Sequence, residues 1–95
     1  MNYPKEDLIV EIQDKHLKAG IVCNSLKCPI AIAIAENTYL GVKVNKYYSM
    51  IGNRMYANSP NVQGKIEDID NRMNVKSFKI LIPKGDNFLT AIELV

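Results

Sequence analysis

The segment Val22-Cys23-Asn24-Ser25-Leu26-Lys27-Cys28-Pro29-Ile30-Ala31-Ile32-Ala33-Ile34-Ala35 decides the fold, because it joins a polar loop with two cysteines to an unbroken apolar run. Pro29 suits the first position of a helix, where its missing N–H costs no hydrogen bond and its φ is already set. No charge follows until Glu36, so every side of this helix is apolar, and such a helix is buried. It is shorter than the roughly 20 apolar residues that cross a bilayer. The sequence therefore predicts a buried central helix over residues 29–36, whose N-terminus opens into the loop 22–28.

Alternating apolar and polar residues predict the strands. A strand near the start of the chain, a hairpin, and two strands near its end are expected over residues 7–12, 42–57, 75–83 and 88–95. Gly52-Asn53 is the expected turn of the hairpin, and the order of its two residues suits a type II′ turn.

Two further helices flank these strands. Asp14 can N-cap a single turn over residues 15–19, with Gly20 as its stop. Ser59-Pro60 repeats the cap-then-proline pattern, and apolar residues every three or four positions extend that helix to about Asn71. The predicted order is β-α-α-β-β-α-β-β. It describes one α+β domain over residues 1–95, in which a mostly antiparallel sheet packs on the central apolar helix.

Composition narrows the classes of function. Twelve basic and ten acidic residues give a net charge of +2, which is too balanced to indicate a DNA or RNA polymer as partner. Residues 1–12 are charged and lack a long apolar core, so we expect no signal peptide, no membrane partner and a cytoplasmic location. Ninety-five residues form a modest core, and we expect a homo-oligomer, a dimer or a tetramer, to supply further burial.

His16, Cys23 and Cys28 are the candidate metal ligands. Three such residues are one short of a closed tetrahedral zinc site, although Asp14 could supply an acidic fourth ligand. A Cys–His catalytic pair is a further alternative, but the sequence shows no clear orienting partner. The simpler interpretation is a buried thiol at Cys28, a loop thiol at Cys23, and a structural histidine that orders the loop. We therefore expect no metal, no cofactor and no catalytic residue.

The loop before the central helix carries groups that suit a phosphorylated ligand. A helix N-terminus presents unpaired N–H groups and a positive partial charge, which favour phosphate. Asn24, Ser25 and Lys27 add donors beside it. A plain capping loop has the same residues, so this alternative stays open.

The predicted hairpin is the second candidate surface. Between Tyr39 and Tyr56 the chain carries Lys43, Lys46, Arg54 and two further tyrosines, and no acidic residue. Aromatic rings stack on bases and cations pair with phosphates, so this mixture suits a nucleotide. Tyrosine and arginine are equally common at protein interfaces, and the sequence does not separate the two alternatives.

One arrangement of residues resembles a family of very small phage and prophage proteins. It consists of His16-x3-Gly20, Cys28-Pro29-Ile30-Ala31-x-Ala33 and Val42-x-Val44, followed by Ile69-Asp70 and Val75-x2-Phe78. The resemblance covers roughly residues 10–82, and only its C-P-I-A-x-A box is specific. Leu17 stands where the family usually has Ile. The family looks like the phage sponges of the anti-CBASS type, which sequester cyclic dinucleotide immune signals.

This resemblance implies a viral, non-enzymatic protein that binds a cyclic dinucleotide, such as cyclic GMP-AMP, and thereby evades host antiphage defence. The implied ligand has two phosphates and two bases. We expect Arg54 and Lys27 to contact phosphate, and Tyr47 and Tyr56 to stack on bases. The complete predicted site is Asn24, Ser25, Lys27, Lys46, Tyr47, Arg54 and Tyr56. The alternatives are a small phage protein-interaction module that inhibits a host protein and, less well supported by the residues, a small enzyme.

Overall fold

The computed structural model describes residues 3–84 and 90–95. These residues form an α+β fold, as predicted, with three helices and one sheet of six strands. In chain order the elements are β1 (Leu8–Ile12), α1 (Asp14–Ala19), α2 (Pro29–Thr38), β2 (Val42–Val44), β3 (Tyr48–Ile51), β4 (Arg54–Asn58), α3 (Pro60–Asp70), β5 (Phe78–Ile82) and β6 (Ala91–Leu94).

The sheet is mixed and has the strand order β1-β5-β6-β4-β3-β2. β4 and β6 run parallel, and the other neighbouring strands run antiparallel. Helix α2 contacts both outer strands, β1 and β2, while α3 contacts β4 and β6. Because one short helix reaches both edges, the sheet must curve around it.

The alternation along each strand gives the sheet one buried and one open face. The buried side chains face the helices and include Val10, Ile12, Val44, Ile51, Ile80, Ile82 and Ile92. The opposite face, which we call the outer face, carries the exposed side chains of Ile9, Tyr48, Met50 and Met55. Met50 and Met55 are cross-strand neighbours on β3 and β4.

The predicted hairpin over residues 42–57 is wrong in one respect, because this segment forms three strands. The Asn45 side-chain oxygen accepts hydrogen bonds from the N–H groups of Tyr47 and Tyr48, at 3.1 and 2.8 Å. This turn ends β2 after three residues and starts β3. The predicted turn at Gly52-Asn53 is confirmed, and Gly52 has the positive φ, 62°, that such a turn requires.

Both predicted cap-then-proline helix starts are present. The Cys28 sulfur accepts a hydrogen bond from the Ala31 N–H at 3.4 Å, and Pro29 follows Cys28 as the first helical residue. The Ser59 hydroxyl accepts one from the Val62 N–H at 3.3 Å in the same way. Helix α2 begins where predicted and extends two residues further, to Thr38, while α3 ends one residue earlier, at Asp70.

Helix α1 begins one residue earlier than predicted. Asp14 lies inside the helix, and Gln13 occupies the N-cap position. The Gln13 N–H donates to Nδ1 of His16 at 3.0 Å, so a histidine ring closes the start of this helix. Gly20 ends the helix as predicted, with its N–H donating to the His16 carbonyl at 2.8 Å.

Part of the predicted C-terminal hairpin lies outside the described residues. The predicted turn covered residues 84–87 and the last strand began at Phe88, whereas the structure describes nothing from 85 to 89. The described part of that strand forms β6, in which Ile92 is buried. Among the described residues, no helix has the length and apolar character needed to cross a membrane.

Candidate ligand-binding cleft

The loop before α2 is held in shape by one side chain. The Asn24 side-chain oxygen accepts hydrogen bonds from the N–H groups of Leu26 and Lys27, each at 3.0 Å. The Asn24 carbonyl accepts another from the Cys28 N–H at 2.9 Å. The loop therefore reaches the first turn of α2 in a fixed conformation.

Two further hydrogen bonds fix this loop to distant elements. The Cys23 N–H donates to the Asp70 carboxylate at the end of α3, at 3.1 Å. The Val44 N–H on β2 donates to the Ser25 carbonyl at 2.8 Å, so the loop also covers part of the sheet edge. Cys23 has a left-handed φ of 56°, which turns the chain into this position.

A cleft of about 210 Å³ lies between this loop, the end of β2 and α3. It brings together three of the seven predicted site residues, Asn24, Ser25 and Lys46. Cys28, the N-cap of α2, also lines it, so the helix N-terminus is next to the cleft. The sequence placed the loop and Lys46 on separate candidate surfaces, and the fold joins them.

Lys46 is the cation of this cleft. Its ammonium lies 3.0 Å from the Glu67 carboxylate on α3 and 5.5 Å from the centre of the Tyr47 ring. The hydrogen bond to Glu67 and the charge of that group raise the pKa of Lys46, so Lys46 stays protonated at neutral pH. Both partners are substantially exposed, so solvent screens their attraction and an incoming anion can replace Glu67 at little cost.

Asn58 positions the turn that carries Lys46, and the sequence analysis missed it. Its side-chain amide donates to the carbonyls of Asn45 and Lys46, at 2.8 and 3.2 Å. Its side-chain oxygen accepts from the hydroxyl of Ser49 at 2.8 Å, and both side chains are buried. The sequence shows only an asparagine directly after the predicted hairpin, and the folded chain shows that it is buried and which carbonyls it meets.

Tyr56 and Arg54 are not on the cleft. Tyr56 was predicted to stack on a base, but only 1% of it is exposed and it packs in the hydrophobic core. Alternation along β4 places it on the buried face, so this prediction is corrected. The Arg54 guanidinium lies 5.1 Å from the centre of the Tyr3 ring, at the other end of β4 from the cleft.

The other two predicted residues are at the surface. Tyr47 is 56% exposed, lies outside the strands and follows Lys46 in the chain, but it does not itself line the cleft. Lys27 is exposed but does not line the cleft. Tyr47 can therefore contact a ligand that extends out of the cleft. The position of Lys27 gives no direct contact with a ligand inside the cleft.

The His16 side chain has a structural role, because its ring forms hydrogen bonds to two different elements. Because its Nδ1 accepts from the Gln13 N–H, the ring proton is assigned to Nε2, which donates to the Glu36 carboxylate at 3.3 Å. Glu36 also accepts from Lys15 at 3.2 Å. The buried ring thus joins α1 to α2, as expected of a histidine that orders its surroundings.

The two cysteines differ in exposure. Cys28 is buried, and burial raises the pKa of its thiol, while Cys23 is exposed. Across residues 3–84 and 90–95, no group of three or more His, Cys, Asp or Glu side chains is close enough together to hold a metal ion.

The cleft therefore offers hydroxyl and amide groups and a lysine beside a helix N-terminus. Such groups can bind an anion and orient it. Comparison of the chain with protein-family models, with curated proteins and with solved structures finds no match.

Proposed function

We propose that this protein binds a cyclic dinucleotide immune signal, such as cyclic GMP-AMP, and sequesters it without cleaving it, as a phage-encoded sponge. The observation that carries the proposal is the convergence of Asn24, Ser25 and Lys46 on one cleft at the N-terminus of α2. A phosphate there gains the Lys46 charge, side-chain donors and the positive end of the helix dipole. The resemblance to small phage proteins supplies the class of ligand.

The size of the cleft limits what one chain can enclose. Its volume of about 210 Å³ lies below the ~300–1,000 Å³ of most small-molecule sites. We infer that one chain holds one phosphate in the cleft, with the adjoining base on the exposed Tyr47 ring. The second half of a cyclic dinucleotide then requires an equivalent cleft on another copy, which agrees with the expected homo-oligomer.

The two acidic residues near the cleft, Asp70 and Glu67, each interact with another group of the chain. Asp70 lines the cleft and accepts the Cys23 N–H, so it holds the loop in place. Glu67 forms the ion pair with Lys46, and a bound phosphate would take its position. Because this exchange replaces one exposed ion pair by another and salt screens both, a rise in salt concentration should change the affinity only slightly.

Calorimetry of the intact protein against a panel of cyclic dinucleotides tests this function. Lys46→Ala should weaken binding at least about ten-fold, because a charge-assisted contact to phosphate contributes ~1.5–3 kcal/mol. Lys76→Ala is the matched control, since Lys76 is exposed on the segment between α3 and β5 and does not line the cleft. The ligand should be recovered chemically intact after the complex is denatured. Absence of binding by the parent protein, or equal affinity of the Lys46→Ala variant, would contradict the proposal.

Tyr47 provides a separate test of base stacking. Removal of a stacking ring in Tyr47→Ala should cost roughly 1–3 kcal/mol of binding free energy, by analogy with single-strand binders. Tyr47 is exposed, so the variant should fold normally. Tyr56→Ala is uninformative for binding, because it removes a core side chain.

A protein-interaction module that inhibits a host protein is the second candidate. The observation that favours it is the outer face of the sheet, where Tyr48, Met50 and Met55 are exposed together. Tyrosine and methionine are enriched at protein interfaces. This alternative predicts that Met55→Glu abolishes the protection of a phage in an infection assay while Lys46→Ala does not. The sponge predicts the reverse.

A further inference from the structure

Tyr39 is unfavourable for an isolated chain in two ways. It ends α2 in the left-handed conformation, with φ 57° and ψ 23°, where glycine or asparagine is the usual residue. Its side chain is also 91% exposed, more than any other large hydrophobic side chain in the described part of the chain. The left-handed backbone of Tyr39 is strained and its ring is largely exposed, so this residue contributes little to the stability of its own chain.

An open apolar depression of about 210 Å³, which we call the hole, is lined by Gly41, two residues from Tyr39 in the chain. The side chains of Leu26, Val42 and Met50 line it, and Gly41 and Gly52 leave it open. An engineered cavity of about 150 Å³ is large enough to bind benzene, so this hole has room for a tyrosine ring. Leu26 and Met50 are themselves exposed and would be covered by an occupant.

We propose that two copies of this chain associate about a two-fold axis, with Tyr39 of each copy inserted into the hole of the other. Gly41, which lines the hole, is two residues from Tyr39. Because the Tyr39 ring and the hole of one copy are near each other in the chain, both can lie close to the two-fold axis that relates the copies. The same contact then forms twice, as a self-complementary interface requires.

Charge complementarity supports a second copy as the occupant. Helix α2 has no basic residue in its last turn, so the negative end of its dipole, next to Tyr39, is not compensated within the helix. Lys43 lines the hole and is exposed. Insertion of Tyr39 brings the end of α2 to the hole of the other copy, and therefore close to that copy's Lys43.

The expected strength follows from the area. Each tyrosine ring buries roughly 150–250 Å². Two rings contribute roughly 300–500 Å², and the exposed parts of Leu26 and Met50 on each copy leave the total below the ~1,200–2,000 Å² buried by specific interfaces, in the range of weak, transient contacts. We therefore expect a reversible dimer whose population depends on concentration. This inference does not depend on nucleotide binding and is tested without ligand.

Sedimentation equilibrium of the intact protein over a range of concentrations tests the proposal with two substitutions. Tyr39→Gly removes the ring and relieves the left-handed strain, so the chain should fold and dimerise at least about ten-fold more weakly, as expected for loss of an interface anchor. Gly41→Leu fills the hole instead. A Cβ at Gly41 meets no atom within 4 Å and its φ is not left-handed, so this variant should also fold.

Each substitution has a matched control away from the interface. Arg72, just after α3, also has a left-handed φ of 59°, so Arg72→Gly relieves the same kind of backbone strain as Tyr39→Gly. Gly64→Leu adds the same side chain at another glycine whose Cβ would meet no atom within 4 Å. Both controls should dimerise as the parent does.

A mixture of the two interface variants gives the sharpest test. Tyr39→Gly keeps an open hole and Gly41→Leu keeps a ring, so one ring can enter one hole in a mixed dimer. The mixture should associate more tightly than either variant alone. A monomeric parent, unchanged dimerisation of both variants, or a mixture that associates no more tightly than either variant alone would overturn the proposal.

Discussion

Gly20 lies so close to Pro29 that a Cβ added to Gly20 would be 2.5 Å from the Pro29 Cδ. Gly20 itself is extended, with φ −70° and ψ 155°, so its backbone conformation does not require glycine. The close approach does. Because Gly20 ends α1 and Pro29 begins α2, this contact fixes how the two helices meet.

Gly20→Ala should therefore destabilise the protein. The added methyl group must displace a proline ring that is buried at the start of a helix, and overpacking of this kind typically costs ~1–3 kcal/mol. Urea unfolding followed by circular dichroism measures the change in the free energy of unfolding.

Gly64→Ala is the matched control, and it should have the opposite sign. Gly64 lies within α3, and an added Cβ meets no atom within 4 Å. Alanine at such a helical position stabilises by about 0.5–1 kcal/mol. If Gly20→Ala were as stable as the parent, the contact with Pro29 would not constrain the fold.

The residues that carry the resemblance to phage proteins have structural roles in this chain. His16 joins α1 to α2, Gly20 admits Pro29, and Cys28 caps α2. Cys28 lines the cleft, as do Val44 and Asp70 of the same arrangement. These residues specify the packing that positions the loop and the N-terminus of α2. The side chains proposed to bind ligand, Asn24, Ser25 and Lys46, are not among the residues that carry the resemblance.

Asn58→Asp should weaken the turn that carries Lys46. The substitution replaces an amide that donates to the Asn45 and Lys46 carbonyls by a carboxylate that faces the same two oxygens. Loss of buried hydrogen bonds costs about 1–3 kcal/mol each, and more for a charged group. Both the free energy of unfolding and the affinity for cyclic dinucleotide should fall. Ser49→Ala, which removes a different bond to Asn58, should lower stability and leave affinity nearly unchanged.

The two thiols should react at different rates. Cys23 is exposed, whereas Cys28 is buried and the raised pKa keeps its thiol protonated. Because the thiolate is the reactive form, we expect a disulfide reagent at pH 8 to modify Cys23 rapidly and Cys28 only when the chain unfolds. Cys23→Ser should retain the slow phase alone. A fast reaction at Cys28 in the folded protein would contradict its burial.

Glu36 should contribute to stability in a pH-dependent way. Hydrogen bonds from Lys15 and then His16 lower the pKa of Glu36 in the folded chain. Ionised Glu36 therefore stabilises the fold above its unfolded pKa of about 4.3, and this contribution is lost as the pH falls through the lower folded value. Unfolding measured between pH 3 and 6 should show a shallower acid dependence for Glu36→Gln than for Glu11→Gln, which removes an exposed acid from β1.

Much of the fold follows from short-range signals in the sequence. The cap-then-proline pairs at Cys28-Pro29 and Ser59-Pro60 mark the starts of two helices because capping and proline geometry act within one turn. Alternation correctly places Ile80 and Ile82 on one face of β5, and in the structure that face is buried. Gly52 marks its turn because few other residues accept a positive φ.

The errors arise where several conformations share one local pattern. Asn45 ends β2 through side-chain hydrogen bonds that its position in an alternating run does not indicate. Alternation separates Tyr56 from its neighbour Met55, but it does not state which of the two faces the core. The cleft itself was beyond prediction, because Ser25 and Lys46 come together only through the sheet edge and α3.

The position of β1 in the sheet has a consequence for synthesis and folding. In the described structure β1 is an outer strand, and its partner is β5, with Leu8 opposite Ile82. Strands β2, β3 and β4, by contrast, pair with neighbours that are only a few residues away. A chain emerging from the ribosome can thus form the local three-stranded part before β5 is made, while β1 waits for a partner strand far along the chain. Contacts of such long sequence separation slow folding, so β1 should pair later than the three strands that follow it in the chain.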